Sequence, residues 1–237
     1  LSSSIHRKQQ GNKIIAEIKF ASPSRGSIRP AENPVALARD FAAAGAAGLS
    51  ILTEPVYFHG DTAFIPAIRP HVEIPLLRKD FIIDERQIAE SRALGADAVL
   101  LIAGVLGNRL GEMVDLAIAY ELEPLVEVHD AQEIKKVLST NARLAGINNR
   151  NLRTMRTDLS TTMRLAPSLR QAGITVISES GVTWPYDVRM LRSFADAFLV
   201  GLVVCIPVVV HYVRGKLWRR ILLLFPVDSF WRGKLAV

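Results

Sequence analysis

The sequence predicts an α/β chain closed as a (β/α)8 (TIM) barrel, and three observations lead there. Apolar runs of strand length recur eight times between residues 14 and 200. Amphipathic stretches with Ala, Leu, Glu and Arg at helical spacing separate them. Acids and bases crowd the ends of the runs, where Ile14-Ile15-Ala16 leads into Glu17-Ile18-Lys19 and Ile74-Pro75-Leu76-Leu77 into Arg78-Lys79-Asp80-Phe81. Short apolar runs of this kind read as buried parallel strands, and regular strand–helix alternation is the signature of a barrel or a doubly wound sheet. The open sheet fits less well, because eight units are counted and no Gly-x-Gly-x-x-Gly follows the first run.

Taken in order, the expected strands are 14–19, 48–53, 74–79, 97–102, 124–128, 144–148, 174–178 and 196–200. The expected helices are 33–45, 84–94, 108–121, 130–139, 158–170 and 184–193. Asp84, Asp130 and Asp158 stand where a side-chain oxygen would accept from the first backbone N–H groups of a helix, and Gly45 and Gly95 where helices end. The chain divides into a polar, basic remnant at 1–13, read as frayed, a barrel core at 14–201 and an atypical apolar and basic segment at 202–237.

Composition narrows the classes. At 237 residues, 49% hydrophobic and 22% charged, the chain suits one α/β barrel or two smaller domains with a large core. A single cysteine, Cys205, excludes an internal disulfide and fits a reducing, cytoplasmic setting. Leu1-Ser2-Ser3-Ser4 lacks the features of a secretory signal, and with no initial Met, native sequence is expected ahead of Leu1. The net charge of +6 is local: six Lys or Arg and one acid follow Gly201, leaving 23 basic against 22 acidic side chains before it. A nearly neutral body without interleaved aromatic and basic residues argues against a nucleic-acid partner.

In barrels of this type, chemistry sits at the carboxyl ends of the strands. Those ends carry Glu17 and Lys19, Thr53-Glu54, Lys79-Asp80, Glu127 with His129-Asp130, Asn148-Asn149-Arg150, and Glu179-Ser180-Gly181. One such cluster is an ordinary structural ion pair; six converging on one mouth indicate a reactive centre. Ser180-Gly181 after the seventh strand and Gly201 after the eighth fall where barrels bind phosphate through backbone N–H groups. Ser22-Pro23-Ser24-Arg25-Gly26 after the first strand adds hydroxyls and a cation. A phosphate ester held over a ring of Lys and Glu is the ligand this pattern suggests. His59, His71, His129 and His211 lack metal-ligand spacing, so no metal or other cofactor is expected, and His129-Asp130 reads as a helix start.

These segments together resemble the indole-3-glycerol phosphate synthase family. The resemblance rests on Ile15-Ala16-Glu17-Ile18-Lys19, Leu52-Thr53-Glu54 with Tyr57-Phe58 and Gly60-Asp61, and Leu77-Arg78-Lys79-Asp80-Phe81. It continues through Leu125-Val126-Glu127-Val128-His129-Asp130, Gly146-Ile147-Asn148-Asn149-Arg150-Asn151-Leu152, Ser178-Glu179-Ser180-Gly181 and Ala197-Phe198-Leu199-Val200-Gly201. It covers 14–201 in the family's order and spacing.

The resemblance implies closure of the indole pyrrole ring in tryptophan biosynthesis. In that reaction 1-(2-carboxyphenylamino)-1-deoxyribulose 5-phosphate becomes indole-3-glycerol phosphate, releasing carbon dioxide and water. By match to the family's motifs, Lys79 would be the general acid for ring closure, expected to titrate low among other cations. Glu127 would be the base of dehydration, and Glu17 would pair with Lys19, which contacts the substrate carboxylate or assists dehydration. Asn148 and Arg150 would orient the substrate, and Glu179 would bond the ribulose hydroxyls. Ser22, Ser180, Gly181 and Gly201 would cradle the phosphate. Phe58 and Phe81 would wall the anthranilate ring or serve as plain core. The implied protein is a cytoplasmic monomer acting on a small phosphorylated substrate, without nucleic acid or membrane.

After Gly201 the likeness stops. Leu202 stands where a hydroxyl would meet the phosphate, and the β-branched run around Pro207 does not read as an eighth helix. A native end packed beneath the barrel, a membrane-contacting segment, and a reading frame lost near residue 202 each account for this change, the last fitting its abruptness best. The apolar run from Phe198 to Val213 is short for a span and contains Pro207. The family also carries a longer helical extension ahead of the first strand than the 13 residues here. A barrel that binds the phosphorylated ligand without turning it over is therefore the alternative function. The isomerase of the preceding pathway step would need a Cys/Asp pair, and Cys205 lies in the aberrant segment.

Overall fold

A computed structural model describes residues 1–6, 13–23, 26–27 and 33–201. Eight parallel strands close into a barrel: β1 (Ile14–Ile18), β2 (Gly48–Leu52), β3 (Leu76–Lys79), β4 (Ala98–Ile102), β5 (Glu123–Val128), β6 (Leu144–Asn148), β7 (Thr175–Glu179) and β8 (Ala197–Gly201). Each strand pairs with its sequence neighbours, and the ring shuts where β1 meets β8, Glu17 opposite Gly201. Every expected strand is present within two residues of its predicted bounds. The expectations for Ser24, Arg25 and the segment 202–237 lie outside the described residues.

Among the described residues, helices follow seven of the strands: α1 (Pro34–Ala43), α2 (Phe64–Ile68), α3 (Glu85–Leu94), α4 (Leu110–Ala119), α5 (Ala131–Leu138), α6 (Ser160–Gln171) and α7 (Pro185–Leu191). Their starts follow from local chemistry. Asp84 accepts from Arg86 N at 2.9 Å while Gln87 reaches back to Asp84 N at 3.0 Å, a reciprocal cap. Asp130 accepts from Gln132 and Glu133 N at 2.8 and 2.9 Å. Asp158 stands one residue ahead of the cap position, which Leu159 occupies, yet it still accepts from Ser160 N at 3.0 Å. α2 lies outside the expected helices, in a stretch that carries Pro66 and Pro70. Pro66 falls in the first turn, where no N–H is needed.

The residues read as frayed are ordered where described. Ser2–His6 forms a short helix whose Ile5, with Leu1, packs inside the barrel against Ile15, Ala98, Leu144 and Ala197. Ser4 Oγ donates to Ala47 O at 2.6 Å, and His6 Nε2 meets Thr175 Oγ1 at 2.8 Å. All these partners lie at strand starts, so the segment plugs the amino end of the barrel.

Alternation along the strands separates two apolar regions. Ala16, Ile18, Leu49, Ile51, Leu76, Val99, Leu101, Val126 and Val128 pack outward beneath the helices. Ile15, Leu77, Leu100, Leu125, Ile177 and Leu199 fill the interior. A strand's side chains alternate faces, so Glu17, Lys79, Glu127 and Glu179, each two residues beyond an interior apolar side chain, share that inward face at the opposite end.

Candidate active site

At this mouth, Lys79 Nζ lies 3.2 Å from Glu127 Oε2 and 3.2 Å from Glu179 Oε2. The three come from β3, β5 and β7, so the barrel brings together residues 48 and 100 positions apart. All three are largely buried; the Glu179 side chain is 2% exposed. Asn148 Nδ2 donates to Glu127 Oε1 at 2.9 Å. Glu17 pairs with Lys19 at the end of β1, and its charge reaches both Lys79 and Glu179.

Burial opposes every charge here, and the neighbours decide which charges survive. Lys79 is held well above its ordinary value: burial disfavours the ammonium, but the carboxylates of Glu179 and Glu127 outweigh it. The expectation that Lys79 titrates low is therefore wrong, because its close neighbours are carboxylates rather than cations. Burial also disfavours the Glu127 carboxylate, yet Lys79, His129 and Asn148 together hold it well below the carboxylate range. Glu179 goes the other way. Burial and the charge of Glu127 push it up to about 7 despite Lys79. One oxygen, Glu179 Oε1, is buried without a hydrogen-bond partner, an acceptor position of the kind a ligand hydroxyl fills.

Glycines make room for this arrangement. A β-carbon on Gly146 would overlap Glu179 Oε1 directly. Gly201 sits beside Glu17 and Lys19, where a β-carbon would lie 3.3 Å from Glu17 Oε1 and 3.7 Å from Lys19 Nζ. Ser180 and Gly181 both take positive φ, +61° and +82°, and a β-carbon on Gly181 would strike Thr157. The turn is pinned by Asn149, whose Nδ2 donates to Ser178 Oγ, Glu179 O and Ser180 O at 3.0, 2.9 and 3.1 Å. Ser22 is buried in a two-stranded hairpin, Ala21–Ser22 with Gly26–Ser27, that lies against the short helix Pro55–Phe58.

Not every predicted residue joins the cluster. The Arg150 guanidinium donates to Met155 O at 3.0 Å within its own loop, while its backbone N–H donates to Asn148 Oδ1 at 3.0 Å. Phe58 and Phe81 belong to neither apolar cluster; their rings stand 6.4 Å apart at the rim, with Phe81 42% exposed. The plain-core alternative for them is excluded. Glu54 caps the helix Pro55–Phe58, accepting from Val56, Tyr57 and Phe58 N. Asp80 accepts from Thr53 Oγ1 at 2.6 Å and from Arg78 at 3.1 Å, so both acids serve the scaffold.

Sequence reasoning placed His129 in the strand-end cluster but read it only as a helix start, not as the side chain lying between Glu127 and Glu133, and it missed the reason for Gly146. The spacing of His129 and Glu133, one helical turn apart around the Asp130 cap, was the available signal for the former. Among the described residues, no group of three or more His, Cys, Asp or Glu side chains could hold a metal ion, and no helix is long and apolar enough to cross a membrane.

Comparison with known proteins agrees with this geometry. A family model described as indole-3-glycerol phosphate synthase matches residues 1–205. The indole-3-glycerol phosphate synthase of Carboxydothermus hydrogenoformans is 46% identical over 181 residues, 76% of this chain and 69% of the relative. That of Laribacter hongkongensis is 46% identical over 190 residues, 79% and 72% of the two chains. That of Neisseria meningitidis is 47% identical over 191 residues, with the same coverage. A solved structure described as "Native KDPGal structure" superposes with a TM-score of 0.54 at 17% identity, covering 81% of this chain and 84% of that one. It supports the barrel fold alone.

Proposed function

The chain belongs to the indole-3-glycerol phosphate synthase family, and on that premise we propose how its own residues carry the family's reaction. The activity is that of a carboxy-lyase of tryptophan biosynthesis. The substrate is 1-(2-carboxyphenylamino)-1-deoxyribulose 5-phosphate and the products are indole-3-glycerol phosphate, carbon dioxide and water. The observation that carries the assignment of roles is the Lys79 ammonium between Glu127 and Glu179 at 3.2 Å from each.

Ring closure joins the carboxylate-bearing ring carbon to the ribulose carbonyl carbon, and the π electrons of the carbonyl move to oxygen. Lys79 donates its proton there. A high pKa does not disqualify it, because an alkoxide is more basic than an amine, and the full charge stabilises the oxyanion as it develops. Carbon dioxide then leaves, and its bonding pair restores the aromatic ring. In dehydration the hydroxyl departs as water with a proton from an acid, either Lys19, or Lys79 after water has returned the proton it gave up in ring closure. Glu127, kept anionic, takes a proton from the carbon next to nitrogen, and the double bond of indole forms. Glu179 Oε1 accepts from a ribulose hydroxyl. Asn148 orients Glu127, and Arg150 borders the substrate's charged end.

Ser22, Ser180, Gly181 and Gly201 take the phosphate, and Phe58 and Phe81 wall the anthranilate ring. The proposal needs no cofactor and takes the protein as a cytoplasmic monomer, without nucleic-acid or membrane partners. Mixing the full chain with the substrate and following indole fluorescence tests the reaction. Product accumulating with stoichiometric carbon dioxide is expected. Substrate binding without product would favour the barrel that holds its ligand without turnover.

A further inference from the structure

His129 has no role in the reaction as assigned above, yet it occupies a costly place. It follows β5 and is 17% exposed, with Nε2 3.3 Å from Glu127 Oε1 and Nδ1 3.3 Å from Glu133 Oε2. The same Glu133 oxygen accepts from His129 N at 2.7 Å, fixing backbone and ring together. Glu133 is itself immobilised: its own N–H donates to Asp130 at 2.9 Å, and its other oxygen crowds Gly104, where a β-carbon would overlap it. A chain of contacts therefore runs from the turn after β4, through α5, to the carboxylate in the mouth.

We propose that His129 is a positioning residue for Glu127: bridged between Glu133 and Glu127, it fixes the carboxylate on the side away from Lys79 and keeps it a base. The proposal rests on the role assigned to Glu127 above. Glu127 has two oxygens and three partners. Lys79 takes Oε2; Asn148 donates to Oε1, and His129 Nε2 stands 3.3 Å from that same oxygen, within ion-pair reach but without the alignment of a hydrogen bond. Without His129, Asn148 alone would hold Oε1, and Glu127 could swing toward the ammonium and substitute an ion pair for its aim at substrate. The ring is suited to the task as an imidazolium. Burial opposes its charge, but the two carboxylates prevail and lift it to about 10. The charged groups around the pair are Lys79 on β3, Glu179 on β7, Glu17 on β1 and Glu133 on α5.

His129→Ala in the full chain is expected to lower kcat on the order of 10²-fold, the cost of misplacing a reacting group, with KM unchanged. The acid limb of the kcat profile should move up by about 1 pH unit, since Glu127 loses an adjacent cation. Glu133→Gln, which leaves the mouth untouched, should move both in the same direction by less. If His129→Ala does not fold, His129→Gln is read in the same way. Folded variants with wild-type kcat and acid limb, or a loss confined to KM, would overturn the proposal. An independent reading uses the unliganded wild-type chain: 15N NMR should find both His129 ring nitrogens protonated at about pH 8, above the ordinary histidine range. A neutral ring there would overturn it as well. Because that signal requires no substrate, a chain without turnover would sink the reaction assigned above while still deciding the clamp.

Discussion

Two sets of polar residues share the carboxyl end of this barrel, and adjacent positions in the chain fall into different sets. Arg78 and Lys79 are neighbours on β3. Arg78 points outward and is 2% exposed, bonding Glu90, Ser91 and Asp80, while Lys79 points inward to Glu127 and Glu179. Asn148 and Asn149 divide in the same way, one holding Glu127 and the other the turn after β7. Ser178 meets Asn149 and Thr162 outside the barrel, and Glu179 faces the mouth. The outer set has its hydrogen bonds made; the inner set keeps an unpartnered acceptor and displaced titrations. Strand parity, more than residue type, separates scaffold from chemistry.

The sharpest way to break this comparison is to push one set with a side chain from neither. Gly146→Ala places a methyl where Glu179 Oε1 now sits, so kcat should fall about 10²-fold, the usual consequence of moving a reacting group by an ångström. Steady-state kinetics beside a melting curve checks it, and a folded variant of normal kcat would mean that Glu179 is not where it acts. For the outer set, Arg78→Ala should cost about 3 kcal/mol of stability, because Asp80 and its neighbours lose a buried cation. Activity per folded molecule should stay near wild type. Urea unfolding with active-site titration separates the two quantities.

A third test uses pH. Glu179 has a folded pKa near 7, raised above its unfolded value, so its contribution is complete below about pH 4 and is lost as pH rises through 7. Glu127 has the opposite sign: its contribution is present above the unfolded value and lost in more acid solution. Glu179→Gln should therefore gain urea midpoint relative to wild type at about pH 8 and little at about pH 5, where wild type is already neutral there. An equal change at both pH values would contradict the raised titration. The smallest effect belongs to Asp84→Ala, which removes a helix cap in the loop after β3, outside the Lys79–Glu127–Glu179 cluster; about 1 kcal/mol of stability should be lost with kcat near wild type.

The same contrast explains what was legible in the sequence. Strands were readable because each is a short apolar run, three of them entered from a Gly-Ala or Gly-Ile approach at Gly45, Gly95 and Gly173, and Asp84 and Asp130 announced their helices. The amino-terminal plug was hidden, since Ser2, Ser3 and Ser4 mask two apolar residues, Leu1 and Ile5, that act together only in three dimensions. Lys79, Glu127 and Glu179 could be picked out as strand-end ionisable residues. The sign of the Lys79 titration could not, because it depends on carboxylates brought from two distant strands. Gly146 likewise looks like any strand glycine until Glu179 is seen beside it.

One measurement bears most directly on the inward cluster as the reactive centre: substrate affinity and turnover of Lys79→Ala beside wild type. Turnover reduced by about 10²- to 10⁴-fold, with the substrate still bound at near wild-type affinity, is the predicted result. Unchanged turnover would contradict the role given to Lys79 and, with it, the division between the two sets.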